Sequence, residues 1–152
     1  MKADTPVSKI MTKKPEIVKP NDTMEEVRKI FEKRGFHHVP VVQAGKLVGL
    51  VSYSDYLQLI RNVFDNSQEI RTNERVLHAT VVEDVMTKNV LCLNQNDSAE
   101  TALRIFKANQ FHSLPVVDDQ QRLVGIITTY DLMKVLEKIF VEQADVVELP
   151  KQ

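Results

Sequence analysis

The chain has 152 residues, which is enough for one domain or two small halves with a buried core. Its 20 basic and 21 acidic residues leave a formal net charge of −1, which excludes a global electrostatic field that recruits nucleic acid or an anionic membrane. Cys92 is the single cysteine, which excludes an internal disulfide and a multi-cysteine zinc cluster and favours a reducing cytoplasm.

The first residues, MKADTPVSKIM, lack the apolar core of a secretory signal. No stretch of about 18 consecutive apolar residues is present that would span a bilayer. We therefore expect a soluble, cytoplasmic protein with neither a membrane nor a nucleic acid as its partner.

An internal repeat organises the chain, because residues 7–45 match residues 82–120 at a shift of about 75. In order, VSKIMTK returns as VEDVMTK, PNDTMEEVRKIFEKRGFHHVPVV returns as QNDSAETALRIFKANQFHSLPVV, and KLVGLVSYSDYL returns as RLVGIITTYDLM. The last block is shifted by one residue more. That residue is gained in a polar stretch, QAGK against DDQQR, where a longer loop costs little.

Each copy starts with a short amphipathic leading segment and a short apolar stretch, PEIVKP or NVLCLN, that predicts a strand. A helix is predicted next, because Asp22 with Glu25 and Asp97 with Glu100 have capping-box spacing. Apolar residues then recur on one helix face: Met24, Val27, Ile30 and Phe31 in the first copy, and Ala99, Ala102, Ile105 and Phe106 in the second. Gly35 is predicted to end the first helix, and Gln110 stands at the matching position of the second.

A hairpin and a second helix complete each copy. The apolar runs VPVV (39–42) and LVGLVS (47–52), and in the second copy LPVV (114–117) and LVGIIT (123–128), predict paired strands. The stretches SDYLQLIRNVF and YDLMKVLEKIF have helical spacing.

The predicted fold is therefore α+β, with two β-α-β-β-α units that each carry a short leading helix. We expect the units to pack about a pseudo-twofold axis, because a small sheet with helices on one face leaves its other apolar face uncovered. The expected division is a first unit at 7–60, a linker or helix extension at 61–81, a second unit at 82–140 and an acidic tail at 141–152.

The repeated unit resembles the CBS motif, and the tandem resembles a stand-alone CBS pair of the bacterial type, also called a Bateman module. The resemblance covers nearly the whole chain. It rests on HHVPVV and HSLPVV, each followed by a glycine-anchored strand that ends in a hydroxyl residue and an aspartate, GLVSYSD (49–55) and GIITTYD (125–131). Two in-register copies of this pattern are far more specific than one.

In CBS pairs of this kind, adenosine-containing ligands sit in clefts between the two motifs. The resemblance implies that Asp55 and Asp131 hold the ribose, with Ser52 and Thr128 as hydroxyl partners. A carboxylate suits this role, because it accepts hydrogen bonds from both ribose hydroxyls. The structural alternative is that each aspartate is favoured in the first helical turn by capping and by the helix dipole.

The resemblance also implies that the cleft is lined by Phe36, His37, His38, Phe111, His112 and Ser113. His37 and His112 are candidates for binding phosphate, since a neutral imidazole donates one hydrogen bond and a protonated one adds charge. The alternative is that these histidines cap a strand edge. Thr12 and Thr87, in the repeated Met-Thr step, are candidates for further polar contacts or for capping the leading helix.

The two copies differ in charge next to these positions. Lys33 and Arg34 of the first copy correspond to Ala108 and Asn109 of the second. We therefore expect unequal sites, one better suited to a polyphosphate and the other to a monophosphate or a neutral nucleoside. The alternative is that the lysine and the arginine form a solvated helix end.

The residues give no support for catalysis or for a metal site. The sequence contains no Walker loop, no dinucleotide fingerprint and no grouped nucleophile and base. Cys92 lies in an apolar run and is expected to be packed rather than reactive. Neighbouring side chains on a strand point to opposite faces, so His37 and His38 form a poor metal chelate.

The expected function is a regulatory one: binding of AMP, ADP, ATP or an S-adenosylmethionine-like ligand, with a signal passed on by conformational or oligomeric change. No cofactor is required, and a homodimer and an effector protein in trans are the expected protein partners. The alternative is a structural or dimerisation module with empty clefts that binds a partner protein.

Overall fold

A computed structural model describes residues 3–33, 36–64 and 70–143 of the chain. Gly35, predicted to end the first helix, and all but the start of the predicted acidic tail lie outside the described residues. None of the helices in these ranges combines the length and the apolarity needed to cross a membrane.

The described chain is an α+β fold in which two β-α-β-β-α-like units follow one another, as predicted. The elements in order are β1 (Thr12–Lys13), α1 (Met24–Glu32), β2 (His38–Gln43), β3 (Lys46–Ser52), α2 (Tyr53–Phe64), α3 (Ile70–Ala79), β4 (Leu93–Asn94), α4 (Ala99–Asn109), β5 (Ser113–Val117), β6 (Leu123–Thr128) and α5 (Thr129–Gln143). Each leading segment contains a short 3-10 helix, Val7–Lys9 in the first copy and Val82–Asp84 in the second.

The helices α1 and α4 begin one residue later than the predicted capping boxes require. Their N-caps are Thr23 and Ser98, and the Ser98 hydroxyl accepts a hydrogen bond from the backbone N–H of Thr101 at 3.0 Å. The carboxylates of Asp22 and Asp97 instead accept from backbone N–H groups three residues earlier in the chain, at 2.7 and 2.8 Å. The capping-box assignment to Asp22 and Asp97 is therefore wrong, because these side chains close the turn that precedes each helix.

Both predicted hairpins are present, but the predicted first strands are much shorter. β2 pairs with β3 and β5 pairs with β6, both antiparallel. From PEIVKP, Val18 forms an isolated parallel bridge with Val41, and from NVLCLN only β4 pairs, parallel to β5. The described strands form a sheet of order β1-β6-β5-β4 and a two-stranded sheet β2-β3.

Each leading segment packs on the other copy rather than on its own. The backbone N–H of Val7 donates to the carbonyl of Asp97 at 2.8 Å, and that of Val82 donates to Asp22 at 2.8 Å. β1 pairs with β6 of the second copy, and Thr87 forms an isolated bridge with β3 of the first copy. Each leading segment thus precedes its own unit in the chain but contacts the other copy, and the division at 7–60, 61–81 and 82–140 remains a prediction about the repeat.

The leading segments, which are exchanged between the copies, also contribute to the two hydrophobic cores. Val82 is buried in the cluster formed around α1, and Val7 is buried in the cluster formed around α4. The predicted linker also contributes, because α3 is a separate helix whose Leu77 is buried in the first cluster. Apolar burial supplies most of the stability of such a fold, so each core depends on residues from the opposite copy.

The two hairpins also meet at their turns. The backbone N–H of Leu47 donates to the carbonyl of Gln121, and that of Leu123 donates to Gly45, both at 3.2 Å. This reciprocal pair of bonds, together with the exchanged segments, relates the two copies by the expected pseudo-twofold axis.

Gly49 and Gly125 stand in the middle of β3 and β6, where the exchanged methionines approach the backbone. A Cβ atom at Gly49 would lie 2.4 Å from the sulfur of Met86 and 3.1 Å from the carbonyl oxygen of Thr87. A Cβ atom at Gly125 would lie 2.4 Å from the sulfur of Met11 and 2.8 Å from the carbonyl oxygen of Thr12. Glycine is thus required in both strands because the leading segment of the other copy crosses there.

We predict that Gly49→Ala lowers the free energy of unfolding by about 1–3 kcal/mol, since overpacking of a tight core costs this much. Combining it with Met86→Ala should cost less than the sum of the two single substitutions, because the shortened side chain makes room for the new methyl group. Urea unfolding of the wild type, both single variants and the double variant measures this coupling. Strict additivity would show that Gly49 and Met86 do not compete for the same space.

Candidate functional site

A cleft of 910 Å³ lies between the two copies, with walls from both. The predicted residues that line it are Thr12, Phe36, His37, His38, Ser52, His112, Ser113, Thr128 and Asp131. Sequence reasoning missed the other lining residues, which are Pro15, Glu16, Tyr53, Ser54, Ile126, Thr129, Tyr130 and Lys134. The exchanged segment brings Thr12, Pro15 and Glu16 to this cleft, so repeat alignment alone did not point to the last two.

Three predicted residues, Asp55, Thr87 and Phe111, do not line this cleft. They are the repeat counterparts of Asp131, Thr12 and Phe36. Since the copies are related by a pseudo-twofold axis, these three residues belong to the symmetry-related surface of the fold. The predicted residues therefore fall into two groups. Those that line the cleft with Asp131 form the Asp131 side, and Asp55, Thr87 and Phe111 form the Asp55 side.

The two aspartates form the capping boxes that the sequence analysis had assigned to other helices. One oxygen of Asp131, Oδ2, accepts from both the backbone N–H and the hydroxyl of Thr128, at 2.9 Å each, and the Thr128 hydroxyl accepts from the Asp131 N–H at 3.1 Å. Asp55 Oδ2 accepts from the backbone N–H of Ser52 at 2.8 Å, and Ser52 Oγ accepts from the Asp55 N–H at 3.0 Å. The capping alternative is thus realised in both copies, and it occupies one carboxylate oxygen of each.

Lys134, one turn along α5, is paired with the other oxygen of Asp131. Its Nζ lies 2.8 Å from Asp131 Oδ1 and 5.0 Å from the centre of the Tyr130 ring. The hydrogen bond to Asp131 raises the pKa of the Lys134 ammonium above its ordinary range. The spacing of Asp131 and Lys134, three residues apart on a predicted helix, was the available signal for this pair.

Three histidines gather where the hairpins meet the cleft. Burial, followed by the proximity of His37 and His112, lowers the pKa of His38, while Asp55 acts in the opposite direction. The backbone carbonyls of His37 and His112 accept from the N–H groups of Tyr53 and Thr129, at 2.8 and 3.0 Å. The histidine segments therefore position the start of α2 and of α5, and the lowered pKa of His38 favours the neutral imidazole, which both donates and accepts.

Ser113 places a hydroxyl without a partner at the cleft wall. The residue is 7% exposed, and its Oγ has no hydrogen-bond partner within the described part of the chain. Buried polar groups are normally paired, so an orphaned hydroxyl that lines a cleft indicates a place where a bound molecule or water is accommodated.

Lys33, part of the predicted charge asymmetry, is paired with an acidic cleft residue. Its Nζ lies 2.5 Å from Glu16 Oε1, and both side chains are partly exposed. Arg34 lies outside the described residues. The charge of Lys33 is therefore balanced locally, which favours the solvated-end alternative for this lysine.

We predict that the protein loses stability as pH falls below about 6.5, the ordinary histidine value. The folded state holds His38 neutral while the unfolded chain takes up a proton, so acid favours unfolding. Urea unfolding at pH 7.5 and pH 5.0 should show a smaller loss for His38→Gln than for the wild type, with the exposed His78→Gln as control. An unchanged loss in His38→Gln would contradict the assignment, and NMR titration of the imidazoles checks it directly.

The fold and the cleft define a two-copy module with a cleft between its halves. The family model for the CBS domain matches residues 7–62 and 82–138, and the chain belongs to this family as a tandem CBS pair.

The chain is similar both to part of a larger enzyme and to CBS pairs of about its own length. It is 34% identical to inosine-5'-monophosphate dehydrogenase of Methanocaldococcus jannaschii over 77% of this chain and 21% of that protein. It resembles CBSX2 from Arabidopsis thaliana, solved in complex with AMP, with a TM-score of 0.74 and 26% identity over 89% of this chain and 98% of that one. It also resembles the CBS domain pair of protein MJ0100, solved with 5'-methylthioadenosine and S-adenosyl-L-methionine, with a TM-score of 0.69 and 26% identity over 89% and 98% of the two chains.

The chain spans less than half the length of the curated relatives it matches first, 21% of the dehydrogenase and 42% of protein MJ1225 from the same organism. The similarity to the dehydrogenase is thus a similarity to a part of that enzyme.

Proposed function

We propose that this CBS pair is a regulatory module that binds an adenosine-containing ligand, AMP, ADP, ATP or an S-adenosylmethionine-like molecule, in the Asp131 cleft. The observation that carries the proposal is the cleft itself, which is lined by both copies and presents a carboxylate and an orphaned hydroxyl. Two CBS pairs of the same fold were solved with AMP and with S-adenosyl-L-methionine, which supports this ligand class.

The ribose is assigned to Asp131. Its carboxylate is 4% exposed and is oriented by Thr128, so the direction of its lone pairs is set before a ligand arrives. Such preorganised, charge-assisted acceptors bind neighbouring hydroxyl groups well. Thr128 itself has a second role as the N-cap partner of α5. Asp55 and Ser52 are assigned the same roles on the opposite side of the axis.

The remaining wall suits the other parts of a nucleotide. We assign His37, His38, His112 and Ser113 to polar contacts with phosphate or base, because they place imidazoles and a hydroxyl on the lining surface. Phe36 and Thr12 line the same cleft and are assigned to the adenine end. On the Asp55 side, Phe111 and Thr87 take the corresponding places.

Binding regulates by acting on both copies at once. A ligand in a cleft with walls from both copies stabilises one relative arrangement of the halves, provided that it binds this arrangement more tightly than others. The change is passed to an effector protein or to a second copy of the chain. No catalysis and no cofactor are part of this function, and we place it in the cytoplasm because the chain carries one unpaired thiol, Cys92.

We predict that AMP, ADP, ATP or S-adenosyl-L-methionine raises the unfolding temperature of nucleotide-free protein. A ligand at 100 times its dissociation constant should add about 2.7 kcal/mol to the free energy of unfolding. Asp131→Asn should weaken binding at least tenfold, because the hydrogen bonds of a neutral amide replace those of a charged carboxylate. This loss corresponds to roughly 1.5 kcal/mol or more of binding free energy. Isothermal titration calorimetry below the unfolding temperature measures the affinity.

Ser98→Ala is the matched control for this experiment. It removes a helix N-cap that does not line the cleft and should lower stability by about 1 kcal/mol without changing the affinity for the ligand. If Asp131→Asn and Ser98→Ala bind equally well, the ribose assignment fails. If no adenosine ligand raises the unfolding temperature of the wild type, the result favours the alternative of a structural module with empty clefts.

A second function, dimerisation, is favoured by the outer face of α5. Large apolar side chains that are exposed there at helical spacing, and that do not line the cleft, are Met133, Leu136, Phe140 and Val141. Exposed apolar patches of this kind mark interaction sites, and we propose that a second copy covers it. This function is compatible with ligand binding and also stands without it.

We predict that the wild type is a dimer in size-exclusion chromatography with light scattering at about 50 µM, a concentration at which even micromolar association is nearly complete. Met133→Glu combined with Leu136→Glu should shift it to the monomer mass, because buried unpaired charge opposes association. Leu103→Glu, on the exposed face of α4, is the control and should remain dimeric. A monomeric wild type would contradict the dimer proposal.

A further inference from the structure

Lys134 forms an ion pair with Asp131, the carboxylate that the proposed function assigns to the ribose. We infer that Lys134 makes the Asp131 cleft selective for 5'-phosphorylated adenosine ligands over uncharged adenosine, by releasing Asp131 and binding the phosphate. The inference rests on the proposed function, because it concerns which ligands of this class the same cleft accepts.

The first argument is the occupancy of the two carboxylate oxygens. Oδ2 of Asp131 already accepts two hydrogen bonds from Thr128, while Oδ1 is the oxygen paired with Lys134 Nζ. Oδ1 has two lone pairs, and Lys134 takes one of them. A ribose that donates both of its hydroxyls to Asp131 therefore competes with the ammonium for the second position.

The second argument is the difference in burial within the pair. The Asp131 side chain is 4% exposed, whereas the Lys134 side chain is 49% exposed. The carboxylate is fixed by its capping role, and the lysine has a flexible stem on the open side of the cleft. Lysine is thus the partner that moves when a ligand enters.

The third argument is the charge that a ligand must supply. Removing the cation from a buried carboxylate is unfavourable unless another interaction compensates. An adenosine molecule offers hydroxyl groups to Asp131 but nothing to the displaced ammonium. A phosphate offers the ammonium a charge-assisted hydrogen bond, so both members of the pair end with a partner.

The fourth argument is the lack of another permanent cation among the residues that line the cleft. These residues include three histidines, Glu16 and Asp131, but no other lysine and no arginine. Lys33 is paired with Glu16 and is not among the lining residues. Lys134 is therefore the cation in the described wall that is positioned to bind an anionic group.

The repeat provides an internal comparison. The position that corresponds to Lys134 in the first copy is Gln58, a neutral residue. The Asp55 side thus has the carboxylate without a lysine at this position, and the inference is confined to the Asp131 side. Lys134→Gln gives the second copy the residue that the first copy has.

The test compares AMP with adenosine by calorimetric titration of the wild type, Lys134→Gln, Lys134→Arg and Lys138→Gln. Lys138 lies one turn further along α5 and is exposed, so Lys138→Gln removes the same charge outside the cleft. We expect the wild type to bind AMP at least tenfold more tightly than adenosine. Lys134→Gln should lose about tenfold in affinity for AMP while its affinity for adenosine is unchanged or increased, because a charged hydrogen bond is removed and the competitor of the ribose is gone.

The two other variants decide whether the effect is due to the charge at this place. Lys134→Arg should keep most of the preference for AMP, and Lys138→Gln should keep all of it. An unchanged AMP-to-adenosine ratio in Lys134→Gln, measured on protein with wild-type circular dichroism, overturns the inference and leaves the proposed function intact. A wild type that binds neither ligand overturns both.

Discussion

The exchange of the leading segments is the constraint on which the rest of this structure depends. Val7 completes the core around α4 and Val82 completes the core around α1, so neither half buries its apolar surface alone. The exchanged strands also cross Gly49 and Gly125 at a distance that leaves no room for a side chain. The two halves are therefore joined through both cores, and the cleft lies between surfaces that this exchange brings together.

The cleft combines groups that stabilise the fold with groups that face a ligand, and Asp131 belongs to both. Its Oδ2 completes the N-terminal turn of α5 through Thr128, while its Oδ1 faces the cleft through Lys134. The two hydrogen bonds that Oδ2 accepts from Thr128, at 2.9 Å each, fix the orientation of this carboxylate. Rigidity of this kind lowers the entropic cost of binding, so the structural and the binding roles of one aspartate support each other.

The near-zero net charge of the chain makes local pairing decisive. Glu16 is balanced by Lys33 and Asp131 by Lys134, which leaves a cleft with little excess charge and several neutral donors. Selectivity in such a cleft is expected from the rearrangement of existing pairs rather than from a broad positive surface. The two copies differ in this respect, because the pair at Asp131 has no lysine counterpart at position 58.

The sequence by itself determined the repeat, both hairpins, the main helices and most residues of the cleft wall, since these follow from periodicity, turn residues and a motif written twice. It placed the capping boxes on the wrong helices, because the pairs Asp22–Glu25 and Ser52–Asp55 have the same spacing and only the surrounding turns decide which pair stands at a helix N-terminus. The tertiary structure alone decided that Thr12 and Val7 pack on the opposite copy, because spacing along a chain carries no information about which of two similar surfaces a segment will meet. It also decided that the Asp131–Lys134 pair lines the cleft, since this depends on which face of α5 is turned toward the other half.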